Sequence, residues 1–280
     1  MSETGTATDR AGVSTPVRSV PGRYVTLDGM RGIAALAVAL FHFDFIRAPH
    51  GYIAVDFFFA LSGFVLWQAY YTRWNERSYG TLAFMRQRAI RLYPLFLLPT
   101  NLLMLPSPVA QALFPINLPA WTLFFELLAS LAMVTVMFRL PKWGLIGICL
   151  ISAALLVPVI LERQNANIGA LWREWPTALA RTMFSFSLGA VIARLPQPAD
   201  RPRGWAGALL LLAAAYLLGL FVGFGLGISI PVKTPEVGLY DLACILVLWP
   251  ILLILGARFE VPAMLAPPAR FLGDVSFALY

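Results

Sequence analysis

The stretch LDGMRGIAALAVALFH, from Leu27 to His42, decides the fold of this chain. It is apolar over hydrocarbon length, yet it carries a cation near its start and an imidazole at its end. Runs of this length read as membrane-spanning helices, and a histidine within one is costly unless the surrounding protein uses it. At 100° per residue, the eleven-residue step from Arg31 to His42 returns to within about 20° of its starting point, so both side chains share one face. Their separation along the axis is roughly 16 Å, about half the ~30 Å apolar thickness of a bilayer. Arg31 is therefore expected near a membrane surface and His42 near mid-depth. Ala35 and Val38 lie on the same face, with Gly32 and Ala39 close by, leaving room for a second helix or a ligand. Two readings stand for His42: a hydrogen bond to a neighbouring helix, or acid–base chemistry inside the bilayer.

Working outward, 59% of the 280 residues are hydrophobic and only 12% are charged. That charged share is about half of what soluble domains carry. Eight runs are expected to span: 27–46, 52–71, 89–106, 119–138, 143–161, 176–193, 205–223 and 238–257. A last apolar piece, 271–280, is too short to cross. The fold class is an all-α polytopic transmembrane bundle, with residues 1–24 as a flexible tail and 25–280 as one integral membrane domain. With the N-terminus in the cytoplasm, sixteen of the 21 Lys and Arg residues fall on the inner side, and this asymmetry selects that orientation. The same clustering explains the net charge of +7 through topology, which excludes a nucleic-acid partner and leaves membrane lipids as the surroundings. Trp121, Trp172, Trp175 and Trp205 fall at proposed boundaries, where interfacial aromatics belong. Cys149 and Cys244 lie inside apolar runs and read as buried structural thiols. Pro94, Pro99, Pro106 and Pro108 make the third span a broken segment.

Charged groups inside the spans carry the functional signal. Asp56 enters the membrane in GYIAVDFFFALSGF (Gly51–Phe64), with Ala60 and Gly63 on roughly its own face. It could cap the helix or orient the imidazole of His42. Ser62 reads as packing or substrate lining. Arg86, Arg88 and Arg91 project from FMRQRAIRLYP (Phe84–Pro94), either as positive-inside residues or as a clamp for phosphates. Glu126 lies two turns into an apolar helix, a functional candidate by its cost alone. Its expected partner is Arg181, which opens RTMFSFSLG (Arg181–Gly189). Asp241 is a weaker member, and His50 is expected to be solvated. No residue set suggests a metal site.

Taken in order, these segments resemble the membrane-bound acyltransferase-3 family, O-acyltransferases of bacterial surface polysaccharides and other hydroxylated acceptors. The matching stretches are LDGMRGIAAL from Leu27 with His42 following, VDFFFALSGF from Val55, RAIRLYP from Arg88, WTLFFE from Trp121, RTMFSFSLG from Arg181 and LGDVSFALY from Leu272. The resemblance implies a multi-pass protein of the cytoplasmic membrane. It would transfer an acyl group, acetyl most simply, from cytoplasmic acyl-CoA to a hydroxyl, often on a sugar. It also implies an essential role for His42, with Arg31 serving the same motif and Arg88 and Arg91 meeting the CoA phosphates. The segment between Leu98 and Trp121 is shorter than in the family, and relatives continue through a further span beyond the position of Tyr280.

On this reading His42 is the general base, Asp56 or Glu126 orients it or stabilises its cation, and Arg31, Arg86, Arg88 and Arg91 hold the co-substrate. Ser62 and Arg181 line the substrate path. The rival readings are a proton-coupled transporter or flippase built on the same ionisable groups, and a truncated inactive paralogue.

Overall fold

Ten α-helices arise among residues 23–43, 48, 50–76, 80–92, 106–107, 110–115, 117–198, 200–220 and 234–279, the residues that the computed structural model describes. They are α1 Val25–Phe43, α2 Ala54–Asn75, α3 Thr81–Leu92, α4 Ala120–Thr135, α5 Lys142–Arg163, α6 Trp175–Ala193, α7 Trp205–Leu217, α8 Pro235–Ala243, α9 Trp249–Gly256 and α10 Ala266–Leu279. Outside the helices, the described residues form isolated bridges, Ala112 with Leu171 and Arg203 with Glu260. The all-α expectation therefore stands. Local chemistry sets several of the ends. Asp28 sits in the first turn of α1 and Asp56 in that of α2, where the helix dipole favours an anion. Pro176 and Pro235 occupy first turns, where their missing N–H is harmless, and the Thr234 hydroxyl accepts from the Val237 N–H at the start of α8. Between α8 and α9, residues Cys244–Leu248 open into a π turn. Pro250, two residues beyond Leu248, cannot donate to the helical ladder, which loosens there.

Five stretches among the described residues are long and apolar enough to cross a membrane: Val25–Phe43, Gly51–Asn75, Ala120–Arg139, Lys142–Arg163 and Pro235–Gly256. α6 has 19 residues but carries Arg181, Thr182, Ser185 and Ser187, all buried. It is the hub of the bundle, packed on α2, α4, α5 and α9. α7 is apolar over 13 residues. Two expectations change. Residues 89–92 complete the short polar helix α3 rather than begin a span, because Arg86, Arg88 and Arg91 belong to one amphipathic surface helix. The rest of the expected third span up to residue 105, the N-terminal tail to residue 22 and the end of the seventh span lie outside the described residues. The last segment begins earlier than expected, at Ala266, and packs along α1.

Close helix approach explains the small residues. A methyl at Gly63 would overlap the Phe186 carbonyl, and one at Gly189 would overlap the Ala60 carbonyl, so α2 and α6 touch backbone to backbone. A methyl at Gly32 would overlap Leu272, which seats α10 equally tightly on α1.

Candidate active site

The α2–α6 contact ends in a buried ion pair. Arg181 Nε donates to both Asp56 oxygens at 2.9 and 3.0 Å, and Nη2 donates to Oδ2 at 2.5 Å. The remaining N–H groups go to the carbonyls of Tyr52, Ala166 and Ile168 at 2.7–3.1 Å. Both side chains are 1% exposed. The geometry corrects the sequence reading twice. Arg181 pairs with Asp56 and not with Glu126, because one turn of α2 lies directly across the contact made by Gly63 and Gly189. Asp56 is also committed to the guanidinium, so it does not hold the imidazole of His42, and neither partner lines an open path.

Glu126 finds another partner. Its Oε1 accepts from Arg88 Nη2 and, at 2.8 Å, from the Ser62 hydroxyl. Helices α2, α3 and α4 thus meet on one carboxylate oxygen. The periodicity of α3 accounts for this: Phe84 and Arg88, four residues apart, both face inward and are buried, whereas Arg86 and Arg91 face outward. Arg88 is therefore tied to a carboxylate, which corrects the expectation of three equivalent phosphate ligands. Arg86 has no ion pair among the described residues. Arg91 lies within electrostatic range of Arg31, Arg88 and Glu126, so a concentrated positive field surrounds this junction.

Arg31 joins α1 to α10. Its Nε donates to Ser276 Oγ at 2.9 Å and its Nη2 to the Gly273 carbonyl at 2.8 Å, with Asp28 3.0 Å away on its own helix. It also borders a cavity of about 250 Å³ walled by Tyr24, Leu27, Leu61, Phe64 and Gln68. Burial pushes up the phenol of Tyr24, which precedes α1. Because α1 starts at Val25, Arg31 sits more than a turn inside the helix. The imidazole of His42 is in the last turn of the described helix. It is exposed, and it contacts the ring of Phe41 at 5.4 Å between centroids. Among the described residues it has no hydrogen-bond partner, so the reading of a histidine tied to a neighbouring helix finds no support there.

Sequence reasoning named His50 and Asp241 separately and did not bring them together. His50 is 2% exposed, not solvated, because Gly51 packs against the Ala37 carbonyl and Phe41 and folds the connection back onto α1. Its Nδ1 is 3.7 Å from Oδ1 of Asp241, which is fully buried. Asp241 Oδ2 accepts from the Tyr52 hydroxyl at 2.8 Å and from the Ala166 N–H at 2.7 Å. An acid in the middle of an apolar run was the available signal. Trp121 also departs from expectation, since it is buried under Arg181 and Gly169 rather than interfacial. Among the described residues, no group of three His, Cys, Asp or Glu side chains is placed to hold a metal.

Apolar helices of spanning length, tied together by buried charge pairs, define a multi-pass membrane protein. The chain belongs to the acyltransferase-3 family, whose model, described as an acyltransferase domain, matches residues 24–280. It is 35% identical to protein 2 of the picA locus of Rhizobium radiobacter, over 40% of this chain and 82% of that protein. It is 38% identical to the peptidoglycan O-acetyltransferase OatA of Listeria monocytogenes, over 26% of this chain and 12% of OatA. To the exopolysaccharide production protein ExoZ of Rhizobium meliloti it is 27% identical, over 54% of this chain and 62% of ExoZ. The match thus spans less than two thirds of ExoZ and a small part of OatA. No solved structure matches the chain.

Proposed function

We propose that this protein is a membrane O-acyltransferase that moves an acyl group, acetyl most simply, from acyl-CoA to a hydroxyl of an envelope carbohydrate. The carrying observation is the state of the candidate acid–base groups. Asp56 and Glu126 are each bound to an arginine, whereas His42 is exposed and has no hydrogen-bond partner among the described residues. The excess of arginine at the end of the bundle that holds the start of α1 supports a cytoplasmic position for that end, in the cytoplasmic membrane. Acyl-CoA would then arrive beside Arg86, Arg91 and Arg31, and its thioester would extend about 16 Å along α1 to reach His42. The relatives named for peptidoglycan and exopolysaccharide support a carbohydrate acceptor.

In this scheme a neutral nitrogen of His42 takes the proton of the acceptor hydroxyl. The oxygen attacks the thioester carbonyl, the C–S bond breaks, and the imidazolium returns its proton to the departing thiolate. The ester is formed with no net change in protons. His42→Ala is expected to lower transfer from labelled acetyl-CoA to envelope glycan by at least about 100-fold, with the protein still present in the membrane at wild-type amounts. Retained turnover in that variant, or substrate movement without acetyl-CoA consumption, would overturn the proposal.

A further inference from the structure

A second cavity, of about 340 Å³, opens where the start of α1, the segment before α7 and the start of α10 converge. Its wall carries four guanidinium groups, Arg23, Arg201, Arg203 and Arg270, and two carboxylates, Asp200 and Glu260. These charges are not equivalent. Glu260 is 6% exposed. It accepts from Arg201 at 2.7 Å and from the Thr26 N–H at 3.1 Å, so Arg201 is neutralised in place. Arg201 is further fixed with its guanidinium 4.1 Å from the centre of the Tyr24 ring. Arg23 is paired with Asp28 and Asp274. Arg203 and Arg270 are exposed, and neither side chain has an acidic partner among the described residues. The rigid pairs thus frame a pocket in which two guanidiniums, without an ion pair among the described residues, outnumber the remaining acid of the wall, Asp200.

The surface beside this pocket is apolar. Trp205, Leu209, Leu212 and Tyr216 of α7 are 54–68% exposed, and their spacing of 4, 3 and 4 puts them on one stripe of the helix. The stripe begins two residues after Arg203. An interfacial tryptophan marks the level of lipid headgroups, so the pocket mouth lies at headgroup depth and the stripe faces acyl chains. We infer that this pocket binds the phosphate of an anionic phospholipid, held by Arg203 and Arg270, with the acyl chains lying along the outer stripe of α7. Guanidinium groups suit the site because each can present two parallel N–H bonds to a phosphate. The site is separate from Arg86, Arg88 and Arg91, and it stands whether or not the chain transfers acyl groups.

The test is native mass spectrometry of the purified full chain after exchange into mild detergent with phosphatidylglycerol or phosphatidylcholine. Wild type is expected to retain phosphatidylglycerol preferentially, and the Arg203→Gln, Arg270→Gln double variant to lose that preference by about tenfold or more. Asp200→Asn, which removes the one unpaired acid of the wall, is expected to raise retention, and it remains informative should the double variant fail to fold. Equal retention in wild type and both variants would overturn the proposal. So would displacement of the retained lipid by free coenzyme A, which carries phosphates but no acyl chains, because the pocket would then be a nucleotide site.

Discussion

Arg181 and Asp56 meet with side chains only 1% exposed, across the point where α2 and α6 come into backbone contact. Every guanidinium N–H has an acceptor, either the carboxylate or one of three carbonyls. A fully hydrogen-bonded ion pair can remain charged in a dry interior because no donor or lone pair is left without a partner. Its role is to fix the register and rotation of α2 on α6, which also sets where Ser62, two turns further along α2, meets Glu126.

Removing one member of that pair should therefore be far worse than removing both. Arg181→Met leaves a buried carboxylate uncompensated and is expected to destabilise the protein by about 3–5 kcal/mol. Adding Asp56→Leu should recover much of that loss. Thermal melting of the detergent-solubilised variants checks this, and a single variant that melts with wild type would refute the lock.

The glycines that permit this contact make a second prediction. Gly189→Ala places a methyl against the Ala60 carbonyl, and the helices can relieve it only by separating, at about 1–3 kcal/mol. Gly147→Ala on α5 meets nothing within 4 Å and is expected to be neutral or stabilising by about 0.5–1 kcal/mol. Gly189→Ala should melt below wild type, and Gly147→Ala at or above it.

The sequence carried the helices and the identity of the buried charges because both follow from local cost. Apolar length compels spanning, and an acid such as Glu126 in an apolar run requires a partner. Which partner it takes is a tertiary matter. Glu126 on α4 and Arg181 on α6 belong to helices that pack on each other, yet the contact of Gly63 with Phe186 brings Asp56 to Arg181 and leaves Glu126 to Arg88. His50 was misread for the same reason: an imidazole between spans looks solvated until the packing of Gly51 on α1 covers it. The first helix begins at Val25, two residues before the expected start at Leu27.

The buried group around Asp241 supplies a third test. Tyr52→Phe removes the hydroxyl that donates to Asp241 Oδ2 at 2.8 Å, leaving the carboxylate with the Ala166 N–H on that oxygen. The expected loss is about 1–3 kcal/mol. Asp241→Asn in the Tyr52→Phe background should be less harmful than in wild type, because both changes act on one hydrogen bond. A double-mutant cycle read by thermal melting measures that coupling, and strict additivity would show the two groups to be independent.

The division of labour on α3 gives the last prediction. Arg88 turns inward to Glu126 while Arg86 and Arg91 turn outward, so stability and donor binding should separate between them. Arg86→Ala with Arg91→Ala is expected to weaken acyl-CoA binding about tenfold or more, as expected for lost hydrogen bonds between charged groups, with a smaller fall in melting temperature than Arg88→Ala causes. Arg88→Ala should lower the melting temperature, because it strands the Glu126 carboxylate with Ser62 alone, and adding Glu126→Gln should restore part of it. Calorimetric titration with a non-hydrolysable acyl-CoA analogue, run beside melting curves, reads both quantities. If Arg88→Ala melts with wild type and loses only binding, the inward arginine is a phosphate ligand after all, and the tie to Glu126 is incidental.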